Sequence, residues 1–105
     1  MNWIQVGKLE DIPRQGSRVV NTPRGEIAMF RSVDDQVFAL ENRCPHKGGP
    51  LSQGIVHGKR VTCPMHSWVI ELETGNAVAP DTGCARRHEV RVAHGVLFLE
   101  AGIED

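Results

Sequence analysis

The sequence predicts an all-β protein. Eleven glycines and six prolines cut the chain into short pieces, and no stretch keeps apolar residues at helical spacing over several turns. Several runs alternate with the period of a half-buried strand instead. Candidate strands, in order, are Trp3 to Val6, Arg18 to Thr22, Glu26 to Arg31, Val37 to Glu41, Val61 to Cys63, Val69 to Leu72, Glu89 to Val92 and Val96 to Glu100. Each is rich in branched or aromatic residues that pack well on a pleated surface. In Glu89-Val90-Arg91-Val92 the two valines share one face and the charged residues take the other. Pro23-Arg24-Gly25, Asp34-Asp35 and His94-Gly95 supply turn chemistry between antiparallel neighbours. Leu9 to Pro13 reads as a turn of helix. A meandering sandwich or small barrel fits this order.

The length of 105 residues suits one domain, 1–105, with one hydrophobic core. Arg43 to about Asp81 differs from the rest, being rich in Cys, His, Pro and Gly. It reads as a site-bearing insert, about 43–81, within the β framework. A formal net charge of −1 gives no field that would draw the chain onto nucleic acid or an anionic membrane. No apolar run has membrane-spanning length, and Met1 to Val6 lacks the basic-then-apolar layout of a signal peptide. The expected location is therefore cytoplasmic. In a reducing compartment, three cysteines point to a metal site before a disulfide framework.

Two loops carry the chemistry. Cys44-Pro45-His46 and Cys63-Pro64-Met65-His66 each place a thiolate and an imidazole close together, with sixteen residues between His46 and Cys63. Together they offer two sulfur and two nitrogen ligands. A structural zinc finger usually keeps its cysteines on one arm and its histidines on the other, whereas both arms here are mixed. Mixed arms suit a binuclear centre in which each loop gives one ligand to each of two irons. A structural zinc site is the competing reading, and iron and acid-labile sulfide analysis separates the two.

The pattern Cys44-x-His46, then Cys63-x-x-His66, with Lys47-Gly48-Gly49-Pro50-Leu51 and Ser52-Gln53-Gly54 beside it, resembles the Rieske [2Fe-2S] ferredoxin family over nearly the whole chain. The resemblance implies a β-sandwich base with one cluster at the tip of a smaller β subdomain. It assigns ligand roles to Cys44, His46, Cys63 and His66. Gly48 and Gly49 would let amide N–H groups approach sulfur and stabilise the reduced state. Such a cluster with neutral histidines carries no net charge when oxidised and one negative charge when reduced, so it takes one electron more readily than an all-thiolate cluster. Family members of respiratory cytochrome bc complexes carry a loop disulfide, where this chain has Gly49 and Met65. They also aim Ser and Tyr hydroxyls at the cluster, whereas this chain has no tyrosine and Ser67 directly follows His66. Fewer donors predict a potential at the low end of the Rieske range, about −150 mV as opposed to about +300 mV.

Two soluble branches of the family compete. His66-Ser67-Trp68-Val69-Ile70-Glu71-Leu72-Glu73-Thr74-Gly75, Asp81-Thr82-Gly83-Cys84 and the opening Trp3-Ile4-Gln5-Val6 are similar to the small subunit of assimilatory NAD(P)H nitrite reductase. That resemblance implies a large catalytic partner, carrying flavin, an iron–sulfur cluster and sirohaem, that reduces nitrite to ammonium. The alternative is the ferredoxin component of a multicomponent aromatic-ring dioxygenase, whose partners are a ferredoxin reductase and a terminal oxygenase. No catalytic residue and no substrate site are identified in this chain. It has no Gly-x-Gly-x-x-Gly after a strand, so a reductase must feed it. Cys84 has no ligand spacing and is given no role, and His57, His88 and His94 read as solvated loop or strand-edge residues. Trp68 reads as packing near the site, and Pro80, by the resemblance, as part of a loop shielding the cluster. Lys59-Arg60 and Arg86-Arg87 read as exposed charge.

Overall fold

The computed structural model describes residues 3–23, 25–45, 49–64 and 68–100. Among them the chain forms strands β1 (Trp3–Lys8), β2 (Gly16–Thr22), β3 (Gly25–Arg31), β4 (Val37–Glu41), β5 (Ile55–His57), β6 (Arg60–Thr62), β7 (Val69–Glu71), β8 (Arg87–His88), β9 (Val90–Ala93) and β10 (Val96–Glu100). Short 3-10 turns occupy Leu9–Asp11 and Leu51–Gln53. Three antiparallel sheets result, ordered β1-β10-β9, β2-β3-β4-β8 and β5-β6-β7.

The four-stranded sheet has a buried cluster on each of its faces, and β3 shows why. Its run Ile27-Ala28-Met29-Phe30 is buried at every position, the mark of a strand covered on both faces. Alternation then sends Ile27 and Met29, with Ala39 of β4, into a cluster with Ile12, Leu97 and Leu99. Ala28, Phe30 and Leu40 join a second cluster with Leu51, Val56, Val61, Ile70, Leu72 and the two cysteines Cys44 and Cys63. The first cluster ties the central sheet to β10, and the second ties it to the β5-β6-β7 sheet. Each fully buried Leu, Ile or Phe contributes about 1.5–3 kcal/mol from lost apolar exposure, and neither flanking sheet buries its inner face without the central one.

The turns follow their chemistry. His94 and Gly95, both at positive φ (52° and 76°), form the two-residue connection of the β9–β10 hairpin, in which Ala93 pairs with Val96. Asp35, at φ 67°, closes the β3–β4 loop, where it accepts from the Arg14 and Arg31 side chains. The helical turn expected from Leu9 is present as the Leu9–Asp11 turn. Strand β5 is not among the expected strands; it is three residues long, with Ile55 71% exposed. It exists because Gly58, at φ 60°, allows a two-residue reversal that pairs His57 with Arg60. Glu89 lies outside both strands and separates β8 from β9. It marks where the chain leaves the central sheet, paired with β4, for the outer sheet, paired with β10.

Candidate metal centre

Each cysteine opens a loop closed by the same backbone bond. The Cys44 N–H donates to the Gly49 carbonyl at 2.7 Å, and the Cys63 N–H donates to the Trp68 carbonyl at 2.6 Å. Both bonds span five residues, so two loops of equal size stand at the end of β4 and between β6 and β7. The first is braced from behind, where the Ser52 N–H donates to Asn42 Oδ1 at 2.8 Å and the Ser17 hydroxyl donates to the Ser52 carbonyl. Cys44 and Cys63 are each only 1% exposed and belong to the same buried cluster, and neither is in a disulfide. His46 and His66 lie outside the described residues.

A return segment reaches the start of the first loop. After β7, the Glu71 N–H donates to the Asn76 carbonyl (2.9 Å) and the Gly75 N–H to the Glu71 carbonyl (2.7 Å). The Ala77 N–H then donates to Gly83 (2.9 Å) and the Ala85 N–H to Gly75 (2.8 Å), while Asn76 and Cys84 form a bridge. This ladder brings Gly83, at φ +125°, against Pro45: a β-carbon at Gly83 would stand 3.1 Å from Pro45 Cβ. Pro80, exposed, sits in the bend of the same segment. The resemblance implies a shielding loop at Pro80; the ladder between Gly75 and Ala85 and the contact of Gly83 with Pro45 come from the structure alone.

The other singled-out residues fall elsewhere. Trp68 is half-buried and packs on the cluster that holds the cysteines. Cys84 is exposed. His57 Nε2 pairs with Thr62 Oγ1 at 2.7 Å, His88 lies on β8 opposite Ala39, and His94 is in the β9–β10 turn. A depression of about 530 Å³ is lined by His57, Gly58, Lys59, Arg60, Glu71 and Glu73. Its charges pair with one another, Lys59 with Glu73 at 3.4 Å and Arg60 with Glu71 at 3.7 Å.

Two buried, unbridged cysteines on matched loops, with an imidazole following each in the sequence, suit a mixed sulfur–nitrogen iron centre. The family model of the Rieske [2Fe-2S] domain matches residues 2–92. The chain belongs to the Rieske [2Fe-2S] domain family. The cofactor of this Rieske domain is a [2Fe-2S] cluster, and its chemistry is one-electron transfer. The Rieske chain is 30% identical over 100 residues to the ferredoxin component of the naphthalene 1,2-dioxygenase/salicylate 5-hydroxylase systems of Ralstonia sp., covering 94% of this chain and 95% of that one. It is 31% identical to the oxidoreductase NdmD of Pseudomonas putida over 95% of its own length, and spans 18% of that longer protein. Among solved structures, it is similar to a chain in the complex of reduced oxygenase and oxidised ferredoxin in carbazole 1,9a-dioxygenase. That likeness has a TM-score of 0.83 and 29% identity, covering 94% and 93% of the two chains. A chain designated an NADH-dependent nitrite reductase small subunit, from Mycobacterium tuberculosis, shares the fold at a TM-score of 0.84 and 23% identity, covering 93% of each. Among the described residues no helix is long and apolar enough to cross a membrane.

Proposed function

We propose that this Rieske domain is the electron-transfer small subunit of an assimilatory NAD(P)H nitrite reductase, acting in the cytoplasm. In this reading 1–105 is one domain, and the insert of about 43–81 carries the cluster. Cys44 and Cys63 bind one iron, and His46 and His66 the other. The cluster accepts and releases single electrons, and this chain's residues bind it and exclude water on the cysteine side. Reduction of nitrite to ammonium takes place on a large partner bearing flavin, an iron–sulfur cluster and sirohaem.

The observation that carries the reading is where the fold puts two of the three segments that resemble that subunit. Trp68, within the first, closes the second cysteine loop through its carbonyl. Gly83 of Asp81-Thr82-Gly83-Cys84 abuts the first loop at Pro45. Both segments shape the surroundings of the cluster, where a difference between branches of the family would bear on electron exchange.

A second reading, the ferredoxin component of an aromatic-ring dioxygenase served by a ferredoxin reductase and a terminal oxygenase, is favoured by the near end-to-end match to the Ralstonia ferredoxin component. Co-purification under anaerobic conditions separates them. A sirohaem-containing partner supports the nitrite reductase reading, and a terminal oxygenase replaces it with the second.

A further inference from the structure

The antiparallel pairing of β4 with β8 continues past the strands toward the first cysteine loop. Leu40 pairs with Arg87. One step on, the Glu41 N–H donates to the Arg86 carbonyl, and the Arg86 N–H donates to Glu41 Oε1, both at 2.7 Å. There the β4 backbone bends, the Arg43 N–H donating to the Glu41 carbonyl at 2.8 Å, and the contact of Gly83 with Pro45 keeps the two segments close. Leu40, Cys44 and Ala85 are buried, while Arg43, Cys84 and Arg86 are exposed. Arg43, two residues beyond Glu41, and Arg86, bonded to Glu41 through its amide, are thus both exposed beside the loop that begins at Cys44.

These two arginines differ from most other cations of the molecule. Lys59, Arg60 and Arg87 pair with Glu73, Glu71 and Glu89, Arg14 and Arg31 pair with Asp35, and Arg18 with Asp11. Arg91 lies over the Trp3 ring. Arg43 and Arg86, along with Lys8 on β1, form no ion pair with a described residue. The carboxylates nearby are engaged by neutral donors: Glu41 by the Arg86 amide and Glu26 by Asn42 Nδ2 at 3.0 Å. Asp81 stands half-buried in the return segment. Most of the surface cations are thus internally satisfied, and two that are not stand beside the cluster loop.

We propose that Arg43 and Arg86 form a docking contact for an acidic face of the protein with which this domain exchanges electrons. The inference rests on the reading that Cys44 holds the cluster. Complementary charge at the point of electron exchange raises the encounter rate and selects the partner, and added salt screens it.

The test uses the full chain carrying its cluster, reduced and then oxidised in a stopped-flow instrument by the trianion ferricyanide or the trication hexaammineruthenium(III). One electron leaves the cluster and one arrives on the complex, and no bond or proton changes hands. The net charge of −1 alone would slow ferricyanide at low salt. The arginine face predicts the opposite: a ferricyanide rate that falls several-fold as ionic strength rises, with the ruthenium rate rising. R43Q/R86Q removes most of the ferricyanide trend, whereas K59Q/R60Q leaves it. Polyglutamate, standing in for an acidic protein face, slows oxidation of the wild-type chain by ferricyanide and not of R43Q/R86Q. Wild-type ferricyanide rates that are flat or rise with salt, or trends unchanged in R43Q/R86Q, overturn the docking inference and leave the cluster reading standing. A full chain that takes up no iron–sulfur chromophore overturns both.

Discussion

Gly83 and Pro45 are packed so closely that a methyl group cannot be added between them without movement: the added β-carbon would lie 3.1 Å from Pro45 Cβ and 3.7 Å from its Cγ. At φ +125° the position is also one that side chains with a β-carbon rarely adopt. Gly83→Ala is therefore expected to cost about 1–3 kcal/mol and to loosen the return segment over the first cysteine loop. A thermal melt followed by both far-UV ellipticity and visible absorption checks this. The chromophore should bleach at a lower temperature than in the wild-type chain.

Leu40 is fully buried where the central sheet meets the cysteine-bearing cluster. Leu40→Ala leaves a cavity there and is expected to destabilise the fold by about 2–5 kcal/mol. Urea unfolding of the cluster-loaded protein measures it. Ile55→Ala, at a strand residue 71% exposed, should change stability by less than about 0.5 kcal/mol.

Asp35 receives hydrogen bonds from Arg14 and then Arg31, and these hold its carboxyl below the usual range. The Arg14 guanidinium is pushed further up by the same contact. Because the folded value lies below the unfolded one, the contribution is complete above the unfolded pKa and is lost as pH falls through the folded value. Melting temperatures of the wild-type chain should therefore fall more steeply with acidification through that window than those of Asp35→Asn. The variant should also melt lower at neutral pH, and ionic strength should narrow the gap between the two.

The three cysteines should separate cleanly. Cys44→Ser and Cys63→Ser, at the two buried positions, should abolish normal cluster assembly, read as loss of iron, acid-labile sulfide and visible absorption. Cys84→Ser, at the exposed position, should leave all three unchanged.

A redox titration followed by electron paramagnetic resonance should place the midpoint at about −150 mV, near the floor of the Rieske range. A chain without tyrosine has no phenolic hydroxyl to donate to the cluster and stabilise its reduced state. A midpoint well above zero would show that other donors reach the sulfurs.

The β class, most of the strands and the two loops that pair a cysteine with a histidine are legible in the sequence alone. These features depend on neighbours a few residues apart: period-two alternation in Val90 and Val92, turn residues at His94-Gly95, ligand spacing at Cys44 and Cys63. Only the tertiary structure decided the rest. Periodicity says that a strand has two faces, but not which layer covers each, so the burial of Ile27 and Met29 on one side and Ala28 and Phe30 on the other had to come from the packing of three sheets. The short, exposed β5 exists through its pairing with β6, a bond between segments and not a preference of Ile55 itself. The contact of Gly83 with Pro45 and the bonds between Glu41 and Arg86 join residues about forty positions apart. Such distances are closed by backbone hydrogen bonds across the fold, whose partners no local pattern names.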